Sequence, residues 1–245
     1  MNTKHIFLAA AAALLTGCTS EAVFDYNEAP GVMAKVQEAG AGRKTVAVMP
    51  FLDQRGFSGQ QSTADWGSFY WGFVPLMPFG FAVKPEPEKS YDFVSLGYFH
   101  FDAQNDLSNA AFLSLKESNL FASVTKANNL QQAENADYLW RGKVLNTEYR
   151  GYHYTYFITY FFAPVLWIAG FPYGHSRNEL YLRFELVERA SGNIVWSYDY
   201  AGSDFIFHWI YARIGQDASL YARLMKQAMN GALLDLSGKL PEIEK

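Results

Sequence analysis

The chain has a single cysteine in 245 residues, few charges and no run of one charge sign. One cysteine excludes an intrachain disulfide framework and any multi-cysteine zinc cage. Charged residues make up 18% of the chain, below the roughly 25% of ordinary soluble domains. The 20 basic and 24 acidic residues give a formal net charge of −4. With no basic stripe to neutralise phosphates, a nucleic-acid partner is excluded. Catalytic signatures are missing too. There is no Gly-x-Ser-x-Gly elbow and no phosphate-binding Gly-x-x-x-x-Gly-Lys-Ser/Thr loop. Gly40-Ala-Gly-Arg43 precedes an apolar run instead of opening a helix. His100, His153, His175 and His208 are isolated, with no pair at metal-ligand spacing. His153 and His175 do flank one segment and can meet across its mouth. Glu86 and Glu88 sit beside Pro85 and Pro87 in a polar loop, which offers no buried carboxylate to tune as an acid. These absences point to a non-enzyme with no catalytic residue, metal site or cofactor.

Aromatic residues are what the chain has in excess, at 17%. They are not spread evenly. Of the 42, 30 fall in residues 66–101, 149–173 and 196–211.

The amino terminus reads as a targeting segment. Lys4 supplies the positive charge, and Ile6 to Leu15 is an apolar stretch too short to span a bilayer. Leu15-Thr16-Gly17-Cys18 follows and resembles the lipobox of bacterial lipoproteins. The resemblance implies a signal peptide over residues 1–17 and acylation of Cys18. It also implies, from Thr19 after the cysteine, sorting to the outer membrane of a Gram-negative cell. Loss of Lys4 with the signal would take the formal charge from −4 to −5. Residues 18–43, rich in Ala, Gly and Glu, read as a flexible lipidated tether.

Residues 44–241 read as one periplasmic α/β domain. Lys44 to Phe51 is an apolar, β-branched run ended by Pro50, a buried strand. Asp53 and Arg55 just beyond it form either a binding-loop ion pair or a strand-end salt bridge. Asp106 to Asn119 is an amphipathic helix with Asp106 or Ser108 as its cap. Phe121 to Lys126 is a short strand, Asn128 or Asn129 caps a brief helix through Ala133, and Ala136 to Tyr149 is a strand. Leu180, Leu182, Phe184 and Leu186 alternate with Tyr181, Arg183, Glu185 and Val187, half of a β-hairpin that turns at Ala190-Ser-Gly-Asn193. A last helix starts at Asp217 or Ser219 and ends at Gly238 and Pro241. Interleaved strands and helices predict one mixed sheet of about five strands with helices packed on it.

Two apolar inserts interrupt this domain, at 57–103 and 150–177. Within the first, residues 66–83 carry no charge; within the second, residues 151–176 carry no acidic residue, Lys or Arg. Three arrangements fit. The inserts can bury each other, form an exposed patch that docks on a membrane or partner, or span a membrane as hairpins of an oligomeric barrel. The first two require the inserts to pair in space. The residues expected to make membrane or partner contact are Trp66, Phe69, Tyr70, Trp71, Phe73, Phe79, Phe81, Phe157, Tyr160, Phe161, Phe162, Leu166, Trp167, Ile168 and Phe171.

The series Val46-Ala-Val-Met-Pro-Phe-Leu-Asp-Gln-Arg55, Leu113 to Val124, Ala136-Asp-Tyr-Leu-Trp-Arg-Gly-Lys-Val144 and Leu182 to Trp196 resembles a broad group of envelope lipoproteins. That group includes the curli secretion-channel lipoprotein, the lipoprotein activator of a peptidoglycan synthase and the amino-terminal domain of TolB. The resemblance implies a non-catalytic periplasmic scaffold or interaction module in envelope assembly, anchored to the outer membrane. The alternative it implies is a subunit of an oligomeric secretion channel, because in the curli channel the segment matching Gly151–His175 builds a membrane barrel. Partners are then the membrane, through lipid and inserts, an envelope protein, and further copies of the chain.

Overall fold

A computed structural model describes residues 20–27, 44–55, 70–84, 90–92, 97–212 and 218–244. In chain order the first strands are β1 (Ser20–Val23), β2 (Thr45–Val48), β3 (Leu52–Asp53), β4 (Phe79–Lys84), β5 (Ser90–Asp92) and β6 (Gly97–His100). Helix α1 (Ala103–Ser118), β7 (Ser123–Lys126), β8 (Tyr138–Asn146) and β9 (Tyr149–Tyr154) follow. Helix α2 (Ala163–Ile168), β10 (Gly174–Glu188), β11 (Ile194–His208) and α3 (Ala218–Ile243) complete the chain.

The fold is mixed α/β, as expected, but the main sheet has eight strands instead of about five. A second sheet of three strands, β1-β6-β5, accompanies it. The three extra strands are β3, just past the first expected strand, β4 from the first insert, and β9, which leads into the second. The centre is β10. Its carboxy-terminal half pairs with β8, from Tyr181↔Asn146 to Glu188↔Tyr138. Its amino-terminal half pairs with β9, from Gly174↔His153 to Asn178↔Tyr149. Its other edge pairs with β11 along its whole length. One half of the sheet, β11-β10-β8-β2-β7, is the domain proper, and the other half, β11-β10-β9-β4, is an extension.

The helices cover one face of the domain half. The apolar stripe of α3, with Leu220, Leu224, Ala228, Leu233 and Leu236, is fully buried. It packs with Leu107, Ala111 and Leu115 of α1 onto Val46, Val48, Trp140, Leu182, Phe184 and Leu186. The opposite face holds a smaller cluster, Ala47, Leu139 and Val187, under Ala127 and Ala133. Val46, Ala47 and Val48 are thus buried on both faces, as parallel strands require.

Several boundaries differ from the sequence reading. Helix α1 starts earlier, because Asp102 is the cap: its side chain accepts from the Asn105 N–H at 3.3 Å, while Asp106 reaches back to the Asp102 N–H at 2.7 Å. Asn128 and Asn129 do form reciprocal bonds with Gln132, yet residues 130–135 remain turns. The strand expected over Ala136–Tyr149 breaks between Asn146 and Tyr149. Helix α3 runs through Gly238 and Pro241. Leu240 is buried and Ile243 packs against the core, and this packing outweighs the one N–H that proline lacks. The tether also needs correction. Residues 20–27 dock on the domain: β1 pairs in parallel with β6, Phe24 stacks on Phe101 and Tyr26 bonds Ser114. Cys18, Trp66, Phe69 and Asp217 lie outside the described residues.

One close approach is decisive for packing. The Phe51 ring, 1% exposed, lies over Gly142 on β8, and a Cβ there would meet ring atoms at 2.4 Å. Phe51 is wedged edge-on against Phe184, so the ring has no free path. Gly142→Ala is expected to cost about 1–3 kcal/mol through overpacking. Thermal unfolding followed by circular dichroism should show the midpoint lowered by roughly 2–4 °C per kcal/mol.

Candidate functional site

The extension joins the two inserts backbone to backbone. Strand β4 from the first pairs with β9 from the second, from Phe79↔Tyr154 to Lys84↔Tyr149. Beyond the strands the contacts continue. The Tyr160 N–H donates to the Gly72 carbonyl at 2.9 Å, the Leu76 N–H to Phe157 O at 3.2 Å, and both Thr155 and Tyr156 N–H groups to Pro78 O. Gly72 has to be glycine, since a Cβ would stand 1.9 Å from the Tyr160 ring. Phe73 packs edge-on against Tyr160 and Phe161 at 5.2 and 5.5 Å. The result is an aromatic lobe.

The lobe is tied by polar tips on apolar rings. Trp167 Nε1 donates to Tyr154 O at 3.0 Å, the Tyr156 hydroxyl to Pro172 O at 2.6 Å and the Tyr211 hydroxyl to Ile168 O at 2.7 Å. The histidines that stand apart in sequence converge here. His153 sits among the rings of Tyr160, Trp167 and Tyr173. His175 stacks on Tyr152 at 4.5 Å and its Nδ1 bonds the Tyr154 hydroxyl at 2.7 Å. His208 bonds Ser176 Oγ at 2.8 Å, and Ser176 bonds the Tyr149 hydroxyl at 2.9 Å. Ser176 and His208 are at the distance of a nucleophile and its base, but both have zero exposure. The chain Tyr149–Ser176–His208 is a buried hydrogen-bonded network. Only register places these groups together: Gly174 faces His153 on one side and His208 on the other.

The lobe's outer end is a different surface. Leu76 and Phe161 are 77% and 76% exposed, and Tyr70, Trp71, Phe73, Phe157, Phe162, Val165, Ile168 and Phe171 are exposed as well. Of the residues expected at a contact surface, Tyr160, Leu166 and Trp167 instead turn partly inward. Phe79 and Phe81 lie in β4, which pairs with β9. Leu76 and Val165 join the surface without having been singled out; they are aliphatic, so an aromatic count does not find them. Each large apolar side chain left in water forgoes roughly 1.5–3 kcal/mol of burial free energy. Backbone strain lies in the same segments, with Leu76 and Phe157 on the surface and Tyr156 and Thr159 beneath it. Leu76, Tyr156, Phe157 and Thr159 all adopt φ between 52° and 71°, a left-handed conformation costing about 1–2 kcal/mol for a residue with a Cβ. Such strain tends to cluster at working sites.

Among the described residues, the lobe's charge lies at its base. Arg150 and Arg177 face each other across β9 and β10. Each is already paired with a glutamate two residues away, Arg150 with Glu148 and Arg177 with Glu179. A cleft of about 460 Å³ opens beside them, lined by Tyr154, His175, Arg177, Ser203, Phe205 and Phe207 among others. The Asp53–Arg55 pair lies elsewhere, in the domain half. Arg55 binds Asp53 through Nε at 2.8 Å and Nη2 at 2.5 Å, holds its carboxyl below the usual range, and donates Nη1 to Thr147 Oγ1 at 2.7 Å. It is a strand-end pair that fastens the break between β8 and β9.

β9 and β10 pair from Gly174↔His153 to Asn178↔Tyr149, and turns with the six-residue α2 connect them. Among the described residues no helix is long and apolar enough to cross a membrane, and no group of three or more His, Cys, Asp or Glu could hold a metal.

No family model matches the chain, and no curated relative does. Solved structures show partial likeness. Protein XCC0632 from Xanthomonas campestris, of the DUF330 family, has 11% identity and a TM-score of 0.41, over 92% of this chain and 96% of that one. The PelC dodecamer from Paraburkholderia phytofirmans has 14% identity and a TM-score of 0.32, over 77% and 87%. A neuraminyllactose-binding hemagglutinin homolog from Helicobacter pylori has 12% identity and a TM-score of 0.37, over 89% and 91%. Likeness at this level fixes neither activity nor assembly for this chain.

Burial holds the His153 imidazole down at about 4, with the nearby His208 adding to the effect, and moves His175 in the same direction. An unfolded chain protonates a histidine near pH 6.5, the folded lobe only near pH 4. Stability is therefore full above pH 6.5, falls as the pH drops from about 6.5 to 4, and falls no further below that on this account. For His153 alone the gap corresponds to about 3 kcal/mol. Thermal midpoints measured from pH 7 to pH 4 should fall steeply for the native chain and less steeply for His153→Gln.

Proposed function

We propose that this chain is an outer-membrane lipoprotein, acylated at Cys18, whose α/β domain faces the periplasm of a Gram-negative cell. There it serves as a non-catalytic scaffold or interaction module in envelope assembly. The carrying observation is the exposed apolar end of the lobe, which combines unburied rings with strained backbone. Large apolar side chains left exposed together on one lobe mark an interaction site. The lipobox Leu15-Thr16-Gly17-Cys18 supports the anchor, and several acyl chains at about 0.8 kcal/mol per buried methylene hold a protein firmly on a bilayer. A palmitate analogue fed to cells should label the native protein and leave Cys18→Ser unlabelled. Label surviving that substitution would remove the anchor.

A second reading, a subunit of an oligomeric secretion channel, is favoured by one feature. Strand β11 is 15 residues long and, among the described residues, pairs along one edge only, with β10. Long open edges are templates for pairing with another chain. Native mass measurement of the detergent-extracted protein distinguishes the two: a ring of many copies for the channel, a monomer or small oligomer for the module.

A further inference from the structure

Strands β2, β3 and β8 are mutually parallel, and β8 continues into β9 and the lobe. All of them therefore run toward the lobe. Helix α1 is the crossover between the parallel strands β2 and β7, so it runs back and its amino terminus lies at the lobe end. Strand β1 approaches from there. Val23 is opposite His100, two residues before the Asp102 cap of α1, and Phe24 stacks on Phe101. Farther along, Tyr26 bonds Ser114, three turns down the same helix. Phe101 stacks on Tyr221 at 4.7 Å, and the Tyr221 hydroxyl bonds Thr147 O, at the break where the lobe begins. The chain thus enters the fold from the side of the lobe and runs away from it. Cys18 stands two residues before β1, which is at most about 7 Å of chain.

We propose that the outer end of the lobe docks into the lipid–water boundary of the membrane that holds the Cys18 lipid, with Leu76, Phe157, Phe161, Phe162, Val165 and Ile168 inserted among the acyl chains. This docking rests on the lipoprotein reading for the position of the membrane. The lack of slack between lipid and domain brings the lobe end against that bilayer, and its exposed residues come from segments, 70–83 and 151–176, without an acidic residue, Lys or Arg, which is what the boundary accepts. Trp and Tyr suit the same depth, one end apolar and the other wet, and Tyr70 and Trp71 stand exposed beside the inserted residues. Arg150 and Arg177 at the base are neutralised by Glu148 and Glu179, so apolar insertion and not charge drives the contact.

The test removes the lipid and keeps the lobe. The chain from residue 18 carrying Cys18→Ser is mixed with vesicles of phosphatidylcholine alone and of phosphatidylethanolamine with phosphatidylglycerol, and floated through a density step. It should float with both, to within about threefold, and brominated acyl chains should quench emission that is lost in Trp71→Phe. Phe161→Ser, Phe162→Ser and Ile168→Ser together should weaken partitioning at least tenfold with an unchanged circular dichroism melt. Leu130→Ser and Leu234→Ser, exposed apolar positions away from the lobe, should leave it unchanged. Failure to float, flotation on anionic vesicles only, or undiminished flotation of the triple variant overturns the docking. Because the probe carries no lipid, these results stand apart from palmitate labelling, which tests the anchor alone.

Discussion

The β10–β11 ladder is the constraint on which both halves of the molecule depend. It is one antiparallel register, from Gly174↔His208 to Val187↔Ile194, with a single shift at Leu186/Val187. Its carboxy-terminal half on β10 presents Leu180, Leu182, Phe184 and Leu186 to the helices. Its amino-terminal half carries Ser176 and His175 into the lobe and brings His208 alongside from β11. A slip of one residue would turn every side chain to the other face, exposing the core leucines and dispersing the histidines in the same event. The lobe is continuous with the domain, because two of its strands, β10 and β11, are the far ends of the domain's own.

The second constraint is the break between β8 and β9. A single continuous strand would serve the domain, but here the chain must pair with β10 in two segments. Thr147, fully buried, receives Arg55 Nη1 on its hydroxyl and the Tyr221 hydroxyl on its carbonyl. The Glu179 N–H meets Glu148 O at 2.8 Å. The Thr147 and Glu148 carbonyls freed from the ladder are thus bonded by the Tyr221 hydroxyl of α3 and the Glu179 N–H. Asp53, which looked like a candidate binding residue, acts through this fastening.

Consistency across levels holds through the domain and fails at one place. Pattern and burial agree in β2, in α1 with its Asp102 cap, and along α3 from Leu220 to Leu236. At the outer end of the lobe they part: large apolar groups face water, and four residues with side chains take left-handed backbone. A sequence selected only for folding would avoid both, and such conflicts are expected where a surface is kept for contact.

Much of this was legible in the chain itself. Alternation at Leu180–Val187 marked the central hairpin, the stripe from Leu220 to Leu236 marked α3, and the charge-free windows 66–83 and 151–176 marked the lobe. These signals are local, since side-chain periodicity follows directly from strand and helix geometry. The Asp102 cap, the break at Thr147 and the persistence of α3 through Pro241 were not legible, because each is decided by what packs against it. Nor was the meeting of His153, His175 and His208, which cross-strand register produces from residues up to 55 positions apart. The sequence determined which segments are aromatic and that they stand apart from the charged domain. Only the tertiary structure decided which rings are buried as the lobe's own core and which face outward, because that division depends on pairing between two inserts far apart in the chain.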